Sequence, residues 1–392
     1  MLVRVLLFAV ALGLALLAEA GCGRSDAIVV IALHPANPNI LYVATNDYIY
    51  KSRDEGQTWE NLSQGMTFSR VISMAVDPAY PAIVYAGTKG DAVYKSYDGG
   101  QRWVSQRIGL DSTVVTSVVN QFVFDPFDSR RLFVATTMGI FASENGGETW
   151  QKRMDGMKEV LMVVTLALDA TQPTTMYAGT SGGVYKSVNG AARWEKVNDG
   201  LVSPDILVSS RALGVTAIQV DPHATGRLYA ATLKGLYKST DRAQSWTRLA
   251  QSLPDQMISA MVLDRAVAGV IYVASREGVH KSDDGGTTWK AVNRGLASLN
   301  IRSLVQSPTP RRCTRGRTAA VCIEAGMGAA RGSRCRRCGP QASRQRLFRL
   351  ESPTEGPTRD GVVEDPPGFS FPPTSNPKLL GKVVSWVSGP TR

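Results

Sequence analysis

Histidine is scarce in this chain: His34, His223 and His280 are the only three among 392 residues, and they stand far apart. Histidine metal clusters and Ser/His nucleophilic pairs both need imidazole beside a partner, so neither chemistry finds support. Cysteine is missing from residue 23 to residue 312. The body of the chain therefore has no disulfide framework, and an exported protein with a sizeable core needs none. No glycine-rich phosphate loop is present, and no cofactor is implied. The apolar run Val5–Leu17 is too short to span a bilayer.

That run has a different character. One arginine, Arg4, precedes it, and Ala18-Glu19-Ala20 follows as an A-x-A cleavage site, so residues 1–21 read as a signal peptide. Leu17-Ala18-Glu19-Ala20-Gly21-Cys22 also resembles a bacterial lipobox, with Glu19 departing from the pattern. The expectation is export to the periplasm, cell surface or medium. Cys22 is the candidate lipidation site and offers the chain its one route to a membrane.

What is abundant is repetition. Six tryptophans, Trp59, Trp103, Trp150, Trp194, Trp246 and Trp289, recur at spacings of 44, 47, 44, 52 and 43 residues. Each closes one motif. The first three copies are Ser52-Arg-Asp54-Glu-Gly56-Gln-Thr58-Trp59, Ser96-Tyr-Asp98-Gly-Gly100-Gln-Arg102-Trp103 and Ser143-Glu-Asn145-Gly-Gly147-Glu-Thr149-Trp150. The other three are Ser187-Val-Asn189-Gly-Ala191-Ala-Arg193-Trp194, Ser239-Thr-Asp241-Arg-Ala243-Gln-Ser245-Trp246 and Ser282-Asp-Asp284-Gly-Gly286-Thr-Thr288-Trp289. Around each motif lie four short β-rich runs separated by Pro, Gly and Asp turns, which predicts one four-stranded antiparallel sheet per unit. So small a sheet cannot bury two apolar faces alone, and radial stacking into a propeller resolves this.

The motif resembles the Asp-box, or BNR, repeat of sialidase-like, sortilin-like and photosystem II assembly-factor-like propellers. The resemblance covers residues 27–308 and implies an all-β propeller of four-stranded blades with Asp-box turns, six complete and a seventh incomplete. Asp54, Asp98, Asn145, Asn189, Asp241 and Asp284 are expected to close turns by accepting backbone N–H bonds, with glycine supplying positive φ. Each tryptophan is expected to start the next strand and wedge against a neighbouring sheet. A catalytic group is needed once rather than six times, so the boxes read as structural.

The seventh unit starts normally, Ile301-Arg-Ser-Leu-Val-Gln-Ser-Pro308, and then stops resembling the others. Residues 309–392 become rich in Arg, Cys and Pro; Cys313, Cys322 and the pair Cys335-x-x-Cys338 admit a zinc site, and the arginines a nucleic-acid arm. A third reading is favoured. Back-translating Arg312–Ser333 and reading from the third base of each codon permits Val-Tyr-Ala-Gly-Thr-Asp-Gly-Gly-Gly-Val-Tyr-Arg-Gly-Gly-Asp-Gly-Gly-Gly-Thr-Trp-Glu. This aligns without a gap to Val84–Val104 and ends in an Asp box. A frameshift near residues 309–312 accounts for it, with the tail expected to be disordered and no metal bound. The net charge of +11 agrees: residues 301–392 hold 16 Lys and Arg against 6 Asp and Glu, leaving 28 against 27 before them. Basic character belongs to the tail and gives no support for nucleic acid.

Function is expected on the rim opposite the boxes, where the turns vary. The longest connection, Asn198–Gly214, carries Asp205 and Arg211 as a candidate binding loop for a protein or glycan ligand. The recurring lysine of Tyr-Lys-Ser (Lys51, Lys95, Lys186, Lys238) is expected to be an exposed strand position. A non-catalytic binding or assembly scaffold is favoured over a glycoside hydrolase of the sialidase-like or β-glucan-hydrolase-like type: the Arg-Ile-Pro motif that resemblance to sialidases would imply is absent, and a glycosidase needs two carboxylates at a fixed separation.

Overall fold

The computed structural model describes residues 28–66, 70–110, 118–157, 162–201, 214–249, 253, 257–294, 296 and 299–306, and the backbone of short strands at residues 4–5, 311–313, 316–318, 321–325, 347–350 and 387–388. The candidate loop residues Asp205 and Arg211, and Cys22 with most of the leader, lie outside the described residues.

Each repeat folds as an antiparallel sheet whose strands pair in sequence order. Blade one is Val30–Leu33, Leu41–Ala44, Ile49–Ser52 and Glu60–Asn61. Blade two is Arg70–Val76, Val84–Lys89, Val93–Ser96 and Val104–Gln106. Blade three is Val119–Phe124, Leu132–Thr136, Gly139–Ser143 and Gln151–Lys152. Blade four is Val163–Leu168, Met176–Thr180, Gly183–Ser187 and Glu195–Lys196. Blade five is Val215–Val220, Leu228–Thr232, Gly235–Ser239 and Thr247–Leu249. Blade six is Ala260–Leu263, Ile271–Ser275, Gly278–Ser282 and Lys290–Ala291. The chain is thus an all-β propeller with six four-stranded blades, and no helix occurs among the described residues.

The core lies between blades. Leu132–Thr136 and Met176–Thr180 are buried along their whole length, which explains why second strands are apolar on both faces. Trp103 packs with Tyr42, Leu62 and Val84, joining blades one and two, and Trp194 packs with Phe133, Met157 and Met176 at the next seam but one.

The innermost strands also touch in sequence. Ile301–Gln306, the first strand of the seventh unit, lies between blade six and blade one: Ile301 and Leu304 pack on Val262 and Tyr272, while Val305 packs against Ile31 and Leu41. Seven inner strands therefore close a ring although only six blades are complete. Polar side chains stitch this ring. Blades three and five each carry a bulged residue in the first strand, Asn120 and Thr216, which the extra backbone unit turns toward the neighbour. Asn120 Nδ2 donates to the Val163 carbonyl at 2.7 Å and Thr216 Oγ1 to the Ile258 carbonyl at 2.7 Å. Ser73 Oγ reaches the Val119 carbonyl at 2.7 Å in the same sense.

A glycine governs how closely blades approach. Gly109, Gly156 and Gly200 follow the fourth strands with φ of 84°, 84° and 77°, and each sits under the tryptophan carbonyl of the next blade. A Cβ at Gly156 would lie 2.1 Å from the Trp194 carbonyl oxygen. Strain and overlap add there, so Gly156→Ala should destabilise the protein by about 2–4 kcal/mol, measured by urea unfolding. A cost no larger than that of an exposed Gly→Ala change would contradict this account of the packing.

Candidate functional site: the two rims

The boxes form one rim. In every box the serine hydroxyl accepts the N–H four residues ahead, from Gly56 to Ser52 (2.6 Å) through Gly286 to Ser282 (2.8 Å), and donates to the Asp or Asn side chain. The Oδ1 atom of that side chain then accepts the N–H just before the tryptophan: Thr58 to Asp54 (2.8 Å), Arg102 to Asp98 (2.9 Å), Thr149 to Asn145 (3.0 Å), Arg193 to Asn189 (2.9 Å), Ser245 to Asp241 (3.0 Å) and Thr288 to Asp284 (2.9 Å). A carboxamide oxygen accepts as a carboxylate does, so Asn145 and Asn189 preserve the turn. Ala191 and Ala243 stand at φ of 68° and 66°, where the other boxes have glycine, and both methyls are fully buried between blades.

Hydrogen bonding decides the acidity of these groups. Partial burial alone would raise the Asp241 carboxyl, but bonds from the Ser245 hydroxyl and N–H and from Ser239 outweigh it and hold the group at about 2. Asp284 is held at about 2 in the same way by Thr288 and Ser282, against the opposing effect of burial. Asp54 and Asp98 are lowered too. A general acid needs the opposite shift.

The loop between strands one and two shares this rim, since box N–H groups bond to it: Gly99 to Ala82 (2.7 Å), Gly146 to Arg130 (2.7 Å) and Gly190 to Thr174 (2.8 Å). Its aspartates cap their own turns, as where Asp77 accepts from Ala79 and Tyr80 at 2.9 Å.

The lysines of Tyr-Lys-Ser overturn the sequence reading. Lys51 and Lys95 are buried rather than exposed. The Lys51 ammonium and the Tyr42 hydroxyl both donate to the Gly99 carbonyl in the box of the next blade, at 2.9 and 3.2 Å. Lys95 and Tyr85 do the same to the Gly146 carbonyl, at 2.7 and 2.8 Å. Lys186 reaches the Arg242 carbonyl (2.9 Å) and Tyr229 the Gly285 carbonyl (3.3 Å). Blade three has Phe133 and Ala142 at these positions, and there Arg131 lies against the next box, its Nη2 2.5 Å from where a Gly190 Cβ would stand. Burial pushes the Tyr42 phenol up to about 12 and pulls the Lys95 ammonium down. The signal was visible as a Tyr in strand two facing a Lys in strand three, registered as Tyr42↔Lys51 and Tyr85↔Lys95. Its target lies in another repeat, which periodicity cannot reveal.

The tryptophans divide into two groups. Trp103, Trp194 and Trp246 donate to the carbonyls just after the fourth strand of the preceding blade, Leu62 (2.7 Å), Arg153 (3.1 Å) and Val197 (2.9 Å). Trp150 is buried likewise, without a partner for its Nε1 among the described residues. Trp59 and Trp289 are half-buried and donate to their own box carbonyls at Gly56 and Gly286 instead.

The opposite rim holds the turns between strands two and three. Asp91 is buried there and is engaged by the Tyr94 hydroxyl and the Arg107 guanidinium. Asp47 and Glu277 are exposed on the corresponding turns of blades one and six. None of the seven inner strands carries an Asp or Glu. Among the described residues there is no group of three or more His, Cys, Asp and Glu that could hold a metal.

Comparison with known proteins agrees with this geometry. The family model described as sortilin, neurotensin receptor 3 (Sortilin-Vps10) matches residues 47–180, which span the first three boxes. No curated protein sequence matches significantly. Among solved structures, an ancestral GH74 enzyme is similar at 19% identity and a TM-score of 0.61, over 78% of this chain and 45% of that one. The GH74 xyloglucanase of Xanthomonas campestris is similar at 17% and 0.59, over 83% and 55%. A structure of YCF48 bound to D1 peptide is similar at 17% and 0.54, over 78% of this chain and 88% of that one. The chain spans about half the length of the GH74 structures it matches. Identities this low establish the shared fold alone, a β-propeller.

Acid should expose the role of the boxes. Asp241 and Asp284 lie near 2 when folded and near the free value of about 3.9 when unfolded. Their contribution is therefore complete above the free value and lost as pH falls through it toward 2. The unfolding midpoint should drop over that window, and Asp98→Ala should cost about 1–3 kcal/mol at pH 7. Unchanged stability in Asp98→Ala would remove the structural role of the box.

Proposed function

We propose that this chain is an exported, non-catalytic propeller that binds a protein or glycan partner on the rim opposite its Asp boxes. One observation carries the non-catalytic reading: the inner strands have no carboxylate, while the box carboxylates are engaged in their own turns and shifted toward stronger acidity. Glycoside hydrolysis needs a carboxylic acid that stays protonated near neutrality and a second carboxylate at a set distance. The YCF48 neighbour, matched over most of its length, is described with a bound peptide, which favours a polypeptide partner.

The fold shared with a xyloglucanase supports a second reading, a glycoside hydrolase. Under it, the exposed carboxylates Asp47 and Glu277 on the rim turns are the ones to test. Purified protein incubated with xyloglucan should release no reducing sugar beyond a boiled control. Release abolished by Asp47→Asn or Glu277→Gln would reverse the assignment to hydrolase.

Export rests on the N-terminal pattern, with Cys22 as the lipidated residue. Expressed in a bacterial host, the protein should fractionate outside the cytoplasm, and its mature N-terminal peptide should begin at Cys22 with an acyl mass. Cys22→Ser should release it from the membrane fraction. A cytoplasmic chain that retains Met1–Leu17 would contradict export.

A further inference from the structure

Asparagine stands immediately before glycine twice in this chain, and both pairs fall in boxes: Asn145-Gly146 in blade three and Asn189-Gly190 in blade four. An Asn-Gly peptide is chemically unstable. The glycine amide nitrogen, with no Cβ beside it to hinder approach, attacks the asparagine Cγ, ammonia leaves, and a five-membered succinimide forms. Water then opens the ring at either carbonyl, giving aspartate or isoaspartate. The reaction needs a glycine nitrogen released from its hydrogen-bond partner and a side chain free to swing onto it.

The folded boxes withhold both. The Gly146 N–H donates to the Arg130 carbonyl at 2.7 Å and the Gly190 N–H to the Thr174 carbonyl at 2.8 Å. Each asparagine Oδ1 accepts an N–H four residues ahead, at 3.0 Å for Asn145 and 2.9 Å for Asn189, and a serine hydroxyl at 2.9 Å. Beyond this common frame the two boxes differ.

Box three is latched from outside. Lys95 and Tyr85 both donate to the Gly146 carbonyl, at 2.7 and 2.8 Å, and Asn145 Nδ2 donates to Thr149 Oγ1 at 2.9 Å. Box four lacks all three bonds. Phe133 and Ala142 occupy the latch positions of blade three, and Arg193 replaces the threonine. Among the described residues no side chain hydrogen-bonds the Gly190 carbonyl. Arg131 crowds that turn, but its guanidinium pairs with Asp125 and Glu144 instead. Gly146 is buried, whereas Gly190 is only half-buried. Ala191 adds strain, holding a φ of 68° where box three has Gly147. The Trp194 indole does bond the Arg153 carbonyl at 3.1 Å, which fastens the strand after the turn rather than the turn itself.

We propose that Asn189 is a deamidation site gated by opening of the blade-four box, and that Asn145 is the same chemical group kept latched. Opening breaks the bond from Gly190 to Thr174 and frees the side chain; water is the one co-reactant and ammonia the leaving group. The two products behave differently. Aspartate at position 189 reproduces the residue that closes the other boxes at Asp54, Asp98, Asp241 and Asp284, so the turn can reclose. Isoaspartate carries the main chain through the former side chain and adds a backbone carbon, so the Ser187 hydroxyl and the Arg193 N–H are no longer met in register. Blade four therefore keeps a covalent record of how often its box opens. The inference does not depend on which partner the open rim binds.

The test uses the purified full-length protein, incubated at mildly alkaline pH and digested at intervals, with aspartate and isoaspartate at both positions measured by mass spectrometry. In the folded protein Asn189 should convert about tenfold or more faster than Asn145, as expected when buried hydrogen bonds restrain one opening and not the other. In concentrated urea, where no box exists, the two should convert at similar rates. Lys95→Met combined with Tyr85→Phe should raise conversion of Asn145 toward that of Asn189 and leave Asn189 unchanged. Phe133→Tyr combined with Ala142→Lys installs the latch on box four and should slow Asn189 by a comparable factor. Equal rates at the two positions of the folded protein would overturn the proposal, as would an Asn189 that stays intact while the urea-treated chain converts. A rise at both positions alike in the Lys95→Met, Tyr85→Phe variant would show general loosening and remove the latch.

Discussion

In the boxes of blades two, three, five and six a turn carbonyl accepts from the preceding blade, and the ring depends on that contact. A four-stranded sheet of two- to seven-residue strands has two apolar faces and too little area to stand alone. Its faces are covered only if neighbours approach closely, and close approach buries backbone carbonyls that must find donors. Tyr42 with Lys51, and Tyr85 with Lys95, are those donors. The box is thus a turn and an inter-blade connector in one. Its serine and aspartate satisfy the N–H groups of the turn, which leaves the carbonyl free to be given away.

Much of this was legible in the chain before any geometry. Six boxes at near-constant spacing located the blades. The lysines were read wrongly. A lysine in a short strand is ordinarily solvated, and only the neighbouring blade makes Lys95 a buried donor. The closing strand Ile301–Gln306 could be recognised as a first strand, but its wedging between blades six and one is a tertiary fact. Bulged residues such as Asn120 and Thr216 look like unremarkable strand polar groups until the bulge aims them across a seam. The tryptophans were half legible: Trp103 and Trp194 insert into the preceding blade, while Trp59 and Trp289 satisfy themselves at home.

The chemistry of the rims follows from the same economy. Polar groups on the box rim and around the inner ring are committed to holding blades together, so they are poor candidates for turnover. The other rim carries turns that differ from blade to blade, Asn46-Asp47 in one and Arg276-Glu277 in another. Variation on a uniform frame suits recognition of an irregular surface better than repeated chemistry.

The latches share a direction. Where Tyr42, Lys51, Tyr85, Lys95, Lys186 and Tyr229 bond to a box it is the next one, the glycine after the fourth strand slips under the next tryptophan, and Trp103, Trp194 and Trp246 reach back. A chain emerging from the ribosome N-terminus first can therefore dock each new blade on a finished one, without waiting for its C-terminal end. Until the ring closes, such an arc leaves two faces uncovered, that of blade one and that of the newest blade. Only the closing strand Ile301–Gln306 must satisfy two neighbours at once, blade six on one side and blade one on the other.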